Sequence, residues 1–293
     1  QAADVLVKGL SRLEYRGYDS AGVAVVNGSL EVRKKTGKVS ALSADILNSY
    51  PKGQLGIGHT RWATHGAPND TNAHPHESSD GSFALVHNGI IENYTALRQS
   101  LTDRGYSFKS QTDTEVLVRL IEDVLKTTGL SLGKAIQQAL SQVAGTYGIA
   151  VVSSEDPDML IAARKGSPLI LGVGNGEYFL GSDAAPIIEY TRQVVYLNDG
   201  ELVIVRRDGF KVFSVENVAL NKTIHELEWD LEQIEKGGYE HFMLKEIMEQ
   251  PQALENAMRG RVREELPIIK LGGLIDHIDS LREAKRIIIC ACG

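Results

Sequence analysis

Strand-forming patterns occur in two separate blocks along this chain, and helical patterns lie between them. The first block contains the apolar runs 21–26 and 30–34, which flank Asn27-Gly28, a strong hairpin signal. It continues with the buried-looking runs 56–61 and 83–88. The second block is 147–215, where short β-rich runs alternate with Gly-containing turn signals. Antiparallel hairpins with segregated helices predict an α+β fold rather than a doubly wound α/β sheet.

Helical periodicity predicts the elements that cover these strands. Leu6, Leu10 and Leu13 share one face of a first helix, and Thr112 with Glu115 predicts a capping box before a later one. Two facing sheets, each covered by helices, account for this order. We therefore predict a four-layer αββα sandwich over residues 1–225. Its other helices are expected near 39–46, 94–101, 116–125 and 132–143.

The pattern changes after about residue 216. Helical patterns dominate 225–259, and the run 286–292 resembles a buried parallel strand. A domain does not end on such a strand, so we expect residues 226–293 to contain a linker and the truncated start of a second, α/β domain.

Composition excludes several classes of partner. A formal net charge of -7 and a pI near 5.7 argue against nucleic-acid binding, which needs clustered basic residues. We also expect no membrane contact, because no apolar run approaches the roughly 20 residues of a membrane span. The first residues do not resemble a signal peptide, which predicts a cytoplasmic protein. The two cysteines, Cys290 and Cys292, are too sparse for a disulfide framework or a zinc site.

Polar side chains gather in four groups, each at the end of a predicted strand or the start of a predicted helix. Taken singly, each group has a structural explanation. Arg16 and Asp19 could form a surface ion pair of little energetic value, and Asp113 could be only a first-turn carboxylate. His59 could be a satisfied histidine beside a strand, and Asn88 could belong to a turn. The groups are residues 15–22, 59–66, 87–93 and 112–115.

Metal binding is a further alternative, because five of the eight histidines lie within residues 59–87. However, Pro75 separates two of these histidines, and no carboxylate or thiol accompanies them at the spacing of a zinc site. We therefore expect no metal and no cofactor. The five histidines are His59, His65, His74, His76 and His87.

Together the four groups resemble the class II glutamine amidotransferases, which are N-terminal nucleophile hydrolases. Their sequences are most similar to those of the glucosamine-6-phosphate synthase family. The resemblance covers essentially the whole chain, and it implies that residues 226–293 contain the linker and the start of a sugar isomerase domain. The matching stretches are LEYRGYDSAG, HTRWATHG, NAHPH, VHNGIIENY, TDTEV, RKGSPL and HFMLKEIMEQP.

The resemblance implies a role for each site residue. Arg61 would bind the α-carboxylate of glutamine, and Asp113 would bind its α-ammonium group. The Asn88 side chain and the Gly89 backbone N–H would form the oxyanion hole. The resemblance also implies four supporting residues: backbone groups of Thr64 and His65 in the pocket, Trp62 on a mobile loop 61–69, and Arg16 beside the nucleophile.

The resemblance also implies a nucleophile and partners. In the family, an N-terminal cysteine attacks the amide, and its own α-amino group acts as the base. This sequence begins at the first predicted helix, so we expect about ten residues of strand to precede it, and we expect the 293-residue chain alone to be inactive. The implied partners are L-glutamine, fructose 6-phosphate in the isomerase half, and a second copy in a full-length homodimer. Two alternatives remain: a non-catalytic glutamine-binding module, and an amidotransferase with another ammonia acceptor.

Overall fold

The computed structural model describes residues 1–63, 65–227, 239–258, 262–263, 268–269 and 277–288. The chain divides into two compact units, residues 1–234 and residues 235–293. The helices of the first unit are α1 (Ala2–Leu13), α2 (Val39–Asn48), α3 (Tyr94–Asp103), α4 (Asp113–Thr128) and α5 (Leu132–Leu140). Its strands are β1 (Ser20–Val26), β2 (Leu30–Thr36), β3 (Leu55–Arg61), β4 (His76–Glu77), β5 (Phe83–Ile91), β6 (Gly145–Ser153), β7 (Leu160–Lys165), β8 (Ile170–Val173), β9 (Tyr178–Gly181), β10 (Gln193–Tyr196), β11 (Glu201–Arg206), β12 (Gly209–Ser214), β13 (Ala219–Leu220) and β14 (His225–Glu226).

These strands form three antiparallel sheets. The largest has seven strands in the order β13-β12-β11-β7-β6-β5-β4. Two smaller sheets have the orders β2-β1-β3 and β14-β10-β8-β9. The hairpin predicted at Asn27-Gly28 joins β1 to β2, and Gly28 has the positive φ of 69° that such a turn requires.

The large sheet has two buried faces because its central strands are apolar on both sides. Leu85, Ile149 and Ile161 on one face pack against α3, α4 and α5. Alternate residues such as Val152 and Ala162 point to the other face, where both smaller sheets pack. The helices, the large sheet and the two smaller sheets therefore form three successive layers.

The fourth layer covers the sheet β2-β1-β3. Leu10 of α1 and Leu42 of α2 pack on Val23 of β1. The helix-sheet-sheet-helix order confirms the predicted α+β, four-layer αββα fold. It follows from the two strand blocks, because each block contributes strands to both facing layers.

The start of α4 differs in one detail from the predicted capping box. Thr112 does cap the helix, since its side chain accepts a hydrogen bond from the Glu115 N–H at 3.2 Å. The Glu115 carboxylate, however, accepts from the N–H groups of Lys109 at 2.9 Å and Ser110 at 2.6 Å rather than from Thr112. These earlier N–H groups need a buried acceptor, and the carboxylate therefore fixes the loop that leads to Asp113.

The prediction of helix from residue 225 is wrong at its beginning. His225 and Glu226 form β14, which pairs with β10, and Leu227 is buried in a small apolar cluster beside it. Pairing along the edge of β10 overrides the local helical pattern. In the second unit, the described elements are α6 (Phe242–Met258), β15 (Val262–Arg263), β16 (Ile268–Ile269) and α7 (Ile278–Glu283). The strand predicted at 286–292 is not formed at residues 286–288, and its remaining residues, with both cysteines, lie outside the described residues.

Candidate active site

A cavity of about 1220 Å³ runs along the outer edge of β3. In the described part of the chain, β3 pairs only with β1, and β9 pairs only with β8. Residues of β3 and β9 line this cavity, and residues of β5 and β6 from the facing sheet line it as well. We call this cavity the trough. It lies beside two strand edges whose backbone groups have no neighbouring strand.

The predicted site residues line the trough at the C-terminal end of β3, and we call this end of the trough the cleft. Arg61 is the last residue of β3, Asn88 and Gly89 belong to β5, and Asp113 begins α4. The structure therefore brings together four residues that are distant in sequence. Arg16, Trp62 and His65 line the same cavity, whereas Thr64 lies outside the described residues.

Arg61 is a buried cation held by the loop that follows it. Its Nη2 donates to the carbonyl oxygens of His65 and, at 3.1 Å, of Gly66. Its Nη1 lies 3.7 Å from Asp19 Oδ1. Burial lowers the pKa of the guanidinium, while the carboxylates of Asp19 and Asp113 raise it. Because arginine ordinarily titrates above about 12, the side chain stays charged and can bind an anion.

Asp113 is a buried carboxylate fixed by a backbone group. Its Oδ2 accepts a hydrogen bond from the Ile91 N–H at 2.9 Å, and its side chain is 5% exposed. The Nδ1 atom of His65 lies 3.9 Å from Oδ1. Asp113 also stands in the first turn of α4, where the helix dipole favours negative charge. The cleft thus contains a fixed anion and a fixed cation, the pair that an amino acid's charged groups require.

The backbone at Gly89 has a geometry that a larger residue cannot adopt. Gly89 has φ 127°, and a Cβ atom there would lie 2.3 Å from the Thr146 carbonyl oxygen. Glycine is therefore required for β5 to pass this close to β6. The neighbouring Asn88 presents its carboxamide to the trough, with Oδ1 at 3.0 Å from His59 Nε2.

Trp62 is exposed, with a relative accessibility of 69%. Its indole ring lies against Gly17, where a Cβ atom would come within 2.4 Å of the ring. The next residue, Ala63, donates its N–H to Asp19 Oδ2. The loop after β3 is therefore attached at its root by Asp19, while its tryptophan rests on a surface glycine.

The suggested ion pair between Arg16 and Asp19 is wrong. Arg16 Nη1 instead donates to Ser182 Oγ at 3.2 Å; Ser182 follows β9, and both residues line the trough. Asp19 faces Arg61 because β1 and β3 are adjacent, and its N–H donates to the Arg61 carbonyl at 2.7 Å. Sequence reasoning placed Asp19 in a polar group but missed this contact, because no spacing in the sequence marks it.

Four of the five clustered histidines form a buried row beneath the cleft. The rings of His59 and His74 have centroids 4.3 Å apart, and those of His74 and His76 are 5.0 Å apart. Burial is the first cause that lowers the pKa of each, to about 4 for His59. The pKa of His87 is lowered by burial too, although the nearby Asp113 raises it. The row is therefore neutral at physiological pH. Among the described residues, no group of three or more His, Cys, Asp or Glu side chains could hold a metal ion.

The four-layer fold is that of amidotransferase domains of the N-terminal nucleophile hydrolase class. The sequence model for the glutamine amidotransferase domain matches residues 24–228. The chain belongs to this family. Similar solved structures include the glutamine phosphoribosylpyrophosphate (PRPP) amidotransferase from B. subtilis complexed with ADP and GMP, with a TM-score of 0.65 and 28% identity. That match covers 73% of this chain and 47% of the other.

Curated relatives are more similar in sequence. A glutamine–fructose-6-phosphate aminotransferase (isomerizing) from Chlorobaculum tepidum is 57% identical over 298 residues, which cover all of this chain and 48% of the relative. The enzyme of the same name from Bacteroides thetaiotaomicron is 52% identical, with the same coverage. The chain thus spans about half the length of the curated relatives it matches. In the described part of the chain, no helix combines the length and the apolar character needed to span a membrane.

Proposed function

We propose that this chain is the glutaminase half of a glutamine–fructose-6-phosphate aminotransferase. It would hydrolyse the side-chain amide of L-glutamine, and the released ammonia would convert fructose 6-phosphate to glucosamine 6-phosphate in an isomerase half. The observation that carries the proposal is the meeting of Arg61, Asn88, Gly89 and Asp113 at one end of the trough. The relatives at 57% and 52% identity support this acceptor over a purine precursor.

The charged residues would select glutamine by its amino-acid end. The Arg61 guanidinium is suited to a carboxylate because its donors form a planar fork. Two of those donors now bind the carbonyls of His65 and Gly66, so the loop and the substrate would share one cation. Asp113 would receive the α-ammonium group, with the backbone of Thr64 and His65 completing the pocket. Recognition at both charges favours a free amino acid over a peptide.

Asn88 and Gly89 would stabilise the tetrahedral oxyanion. Attack on the amide carbonyl moves negative charge to its oxygen, and fixed N–H donors stabilise that charge without having to reorganise. The Asn88 carboxamide and the Gly89 N–H are neutral donors of this kind. Ammonia leaves once the amide C–N bond breaks, and water then releases glutamate from the acyl-enzyme. The loop after β3, with Trp62, would close over the substrate and exclude bulk water.

The trough suits the element that would supply the nucleophile. The two strand edges along β3 and β9 offer backbone groups to an added extended segment. In the glutamine amidotransferases of this class the nucleophile is a cysteine at the start of a strand. We propose that such a strand lies in the trough with its thiol beside Asn88. Arg16, which donates to Ser182 and lines the trough, would support that strand's first residue.

The rest of the proposal concerns organisation. We assign residues 1–225, extended to residue 227 by β14 and Leu227, to the glutaminase domain, and the chain after them to a linker and the start of a sugar isomerase domain. The full-length enzyme would be a cytoplasmic homodimer, and the scarcity of cysteine suits a reducing compartment. The acidic net charge of -7 argues against a nucleic-acid partner.

The full-length gene product tests this function. With fructose 6-phosphate and glutamine, it should release glutamate and form glucosamine 6-phosphate in equal amounts. Arg61→Ala should raise the KM for glutamine strongly, and Arg61→Lys should restore only part of the binding because the fork is lost. Synthesis with free ammonia should survive both changes. Glutamine hydrolysis that is insensitive to Arg61, or an absence of amino-sugar product, would contradict the proposal.

A further inference from the structure

Asn88 and His59 come from different sheets, and their contact crosses the interface between the layers. His59 lies in β3 and Asn88 in β5, and the Nε2–Oδ1 distance of 3.0 Å is that of a full hydrogen bond. Among the described residues, this is the hydrogen bond that holds the Asn88 side chain. A carboxamide is planar, so fixing its oxygen on one side fixes its NH2 group on the other.

The direction of this bond follows from the surroundings of His59. The ring is buried, and its Nδ1 atom has no hydrogen-bond partner among the described residues. A proton on Nδ1 would leave a buried N–H without an acceptor, which proteins rarely tolerate. A bare acceptor is less costly, so the proton belongs on Nε2, and Nε2–H donates to Asn88 Oδ1. Burial lowers the pKa of His59 to about 4 and keeps the ring neutral near pH 7.

The histidine row prevents the His59 ring from turning. His74 packs on it with an interplanar angle of 36°, and His74 Nδ1 in turn accepts from the His87 N–H at 3.4 Å. Gly22 of β1, which pairs with His59 of β3, leaves space for this arrangement, since a Cβ atom there would lie 2.1 Å from the His74 carbonyl oxygen. The ring that holds Asn88 is therefore itself held by packing.

We infer that His59 is a positioning residue for the oxyanion hole, and that its Nε2–H holds Asn88 with the carboxamide NH2 directed at the developing oxyanion. This inference rests on the proposed function, because it assumes that Asn88 donates to that oxyanion. Without His59, the amide can rotate and present its oxygen to the negative charge. In this inference the effect of His59 on the reaction passes through Asn88, the residue that its Nε2 contacts.

Kinetics of glutamate release by the full-length gene product test the inference. His59→Phe keeps a planar ring and removes both the donor and the bare Nδ1. It should lower kcat about 10- to 100-fold, a part of the ~100- to 1000-fold loss expected when Asn88→Ala removes the donor itself. The KM for glutamine should change less than about twofold, because the oxyanion forms only during reaction. His59→Gln, whose amide N–H can occupy the Nε2 position, should recover most of the rate.

A double variant separates positioning from a general structural effect. If His59 acts through Asn88, His59→Phe together with Asn88→Ala should be no slower than Asn88→Ala alone. Three results would each overturn the inference. The first is a double variant whose fall in kcat is the product of the two single falls. The others are an unchanged kcat in His59→Phe, and a folded His59→Gln enzyme that does not recover the rate. If His59→Phe does not fold, His59→Gln and His59→Leu carry the same comparison, and equal rates in the two would overturn it. An Asn88→Ala enzyme with full glutamine activity would instead overturn the oxyanion-hole assignment in the proposed function.

Discussion

Asp19 and Arg61 meet at the root of the loop that follows β3, with Asp19 Oδ1 3.7 Å from the Arg61 guanidinium. The other carboxylate oxygen of Asp19 accepts the N–H of Ala63, and the Asp19 backbone donates to the Arg61 carbonyl. Asp19, the residue just before β1, therefore fixes both the side chain proposed to bind glutamine and the loop proposed to cover it.

Asp19→Asn is expected to weaken glutamine binding more than it slows the reaction. The amide loses the charge that faces the buried guanidinium, so Arg61 should turn further toward the loop carbonyls of His65 and Gly66. We predict a rise in the KM for glutamine of about tenfold, which corresponds to about 1.4 kcal/mol, with a smaller fall in kcat. Steady-state glutamate release measures both.

Asp156→Asn is the matched control for this change. Asp156 also pairs with an arginine, Arg206, at 2.6 Å, but both side chains are partly exposed. Arg206 lines the trough, whereas Asp156 does not. Its loss should leave the KM for glutamine unchanged, because exposed pairs contribute little. Equal effects of the two substitutions would contradict a specific role for Asp19.

Asp113→Asn should separate the use of glutamine from the use of ammonia. The substitution removes the charge proposed to face the α-ammonium group, and breaking such a partly desolvated pair costs about 2–5 kcal/mol. Glutamine-dependent synthesis by the full-length enzyme should fall at least about 30-fold, whereas ammonia-dependent synthesis should suffer much less. An equal loss of both activities would indicate misfolding and contradict the role.

Gly89→Ala should destabilise the domain as well as inactivate it. The new Cβ would meet the Thr146 carbonyl oxygen at 2.3 Å, and φ 127° is strained for alanine. Gly81→Ala is the matched control, because Gly81 also has positive φ, 73°, but a Cβ there meets nothing within 4 Å. Calorimetry of both variants should show a clearly larger fall in Tm for Gly89→Ala. Similar Tm values would show that β5 and β6 can separate at this point.

Much of this architecture follows from local patterns. The hairpin at Asn27-Gly28, the helices and the β-rich second block each have a periodicity or a turn signal of their own. The location of the cleft was also accessible, because its residues occur in four short polar groups. Only the four groups together indicate a functional site, since each group alone fits a structural role.

Contacts between layers could not be predicted from these patterns. The bond between His59 and Asn88 depends on how two sheets face each other, and that of Arg16 with Ser182 spans 166 positions of sequence. β14 forms because the edge of β10 is available to His225 and Glu226, although their local pattern is helical. Side-chain partners across layers depend on packing, which a single sequence does not reveal.

The buried histidines should make the domain sensitive to acid. An unfolded histidine titrates near 6.5, whereas burial lowers the pKa of folded His59 to about 4. Below about pH 6.5 the unfolded chain binds more protons than the folded one, so stability falls with falling pH. Above that value both states are neutral and this contribution is constant.

Each such histidine contributes a slope of up to about 1.4 kcal/mol per pH unit. We therefore expect the free energy of unfolding, measured with urea, to decrease steeply between about pH 6.5 and pH 4. His59→Phe should reduce that slope by the share of one histidine. A free energy that stays level down to pH 4 would show that the row accepts protons in the folded state.

Glutamate release tests the central claim most directly. The claim is that the cleft of Arg61, Asn88, Gly89 and Asp113 hydrolyses glutamine with a thiol that enters through the trough. We predict that a protein of these 293 residues alone releases no glutamate above background, because its two cysteines are Cys290 and Cys292 and neither is the N-terminal residue. The full-length gene product, assayed beside it, should release glutamate at a rate that a cysteine-directed reagent abolishes. Comparable turnover by the two proteins, or no turnover by the full-length product, would contradict the account.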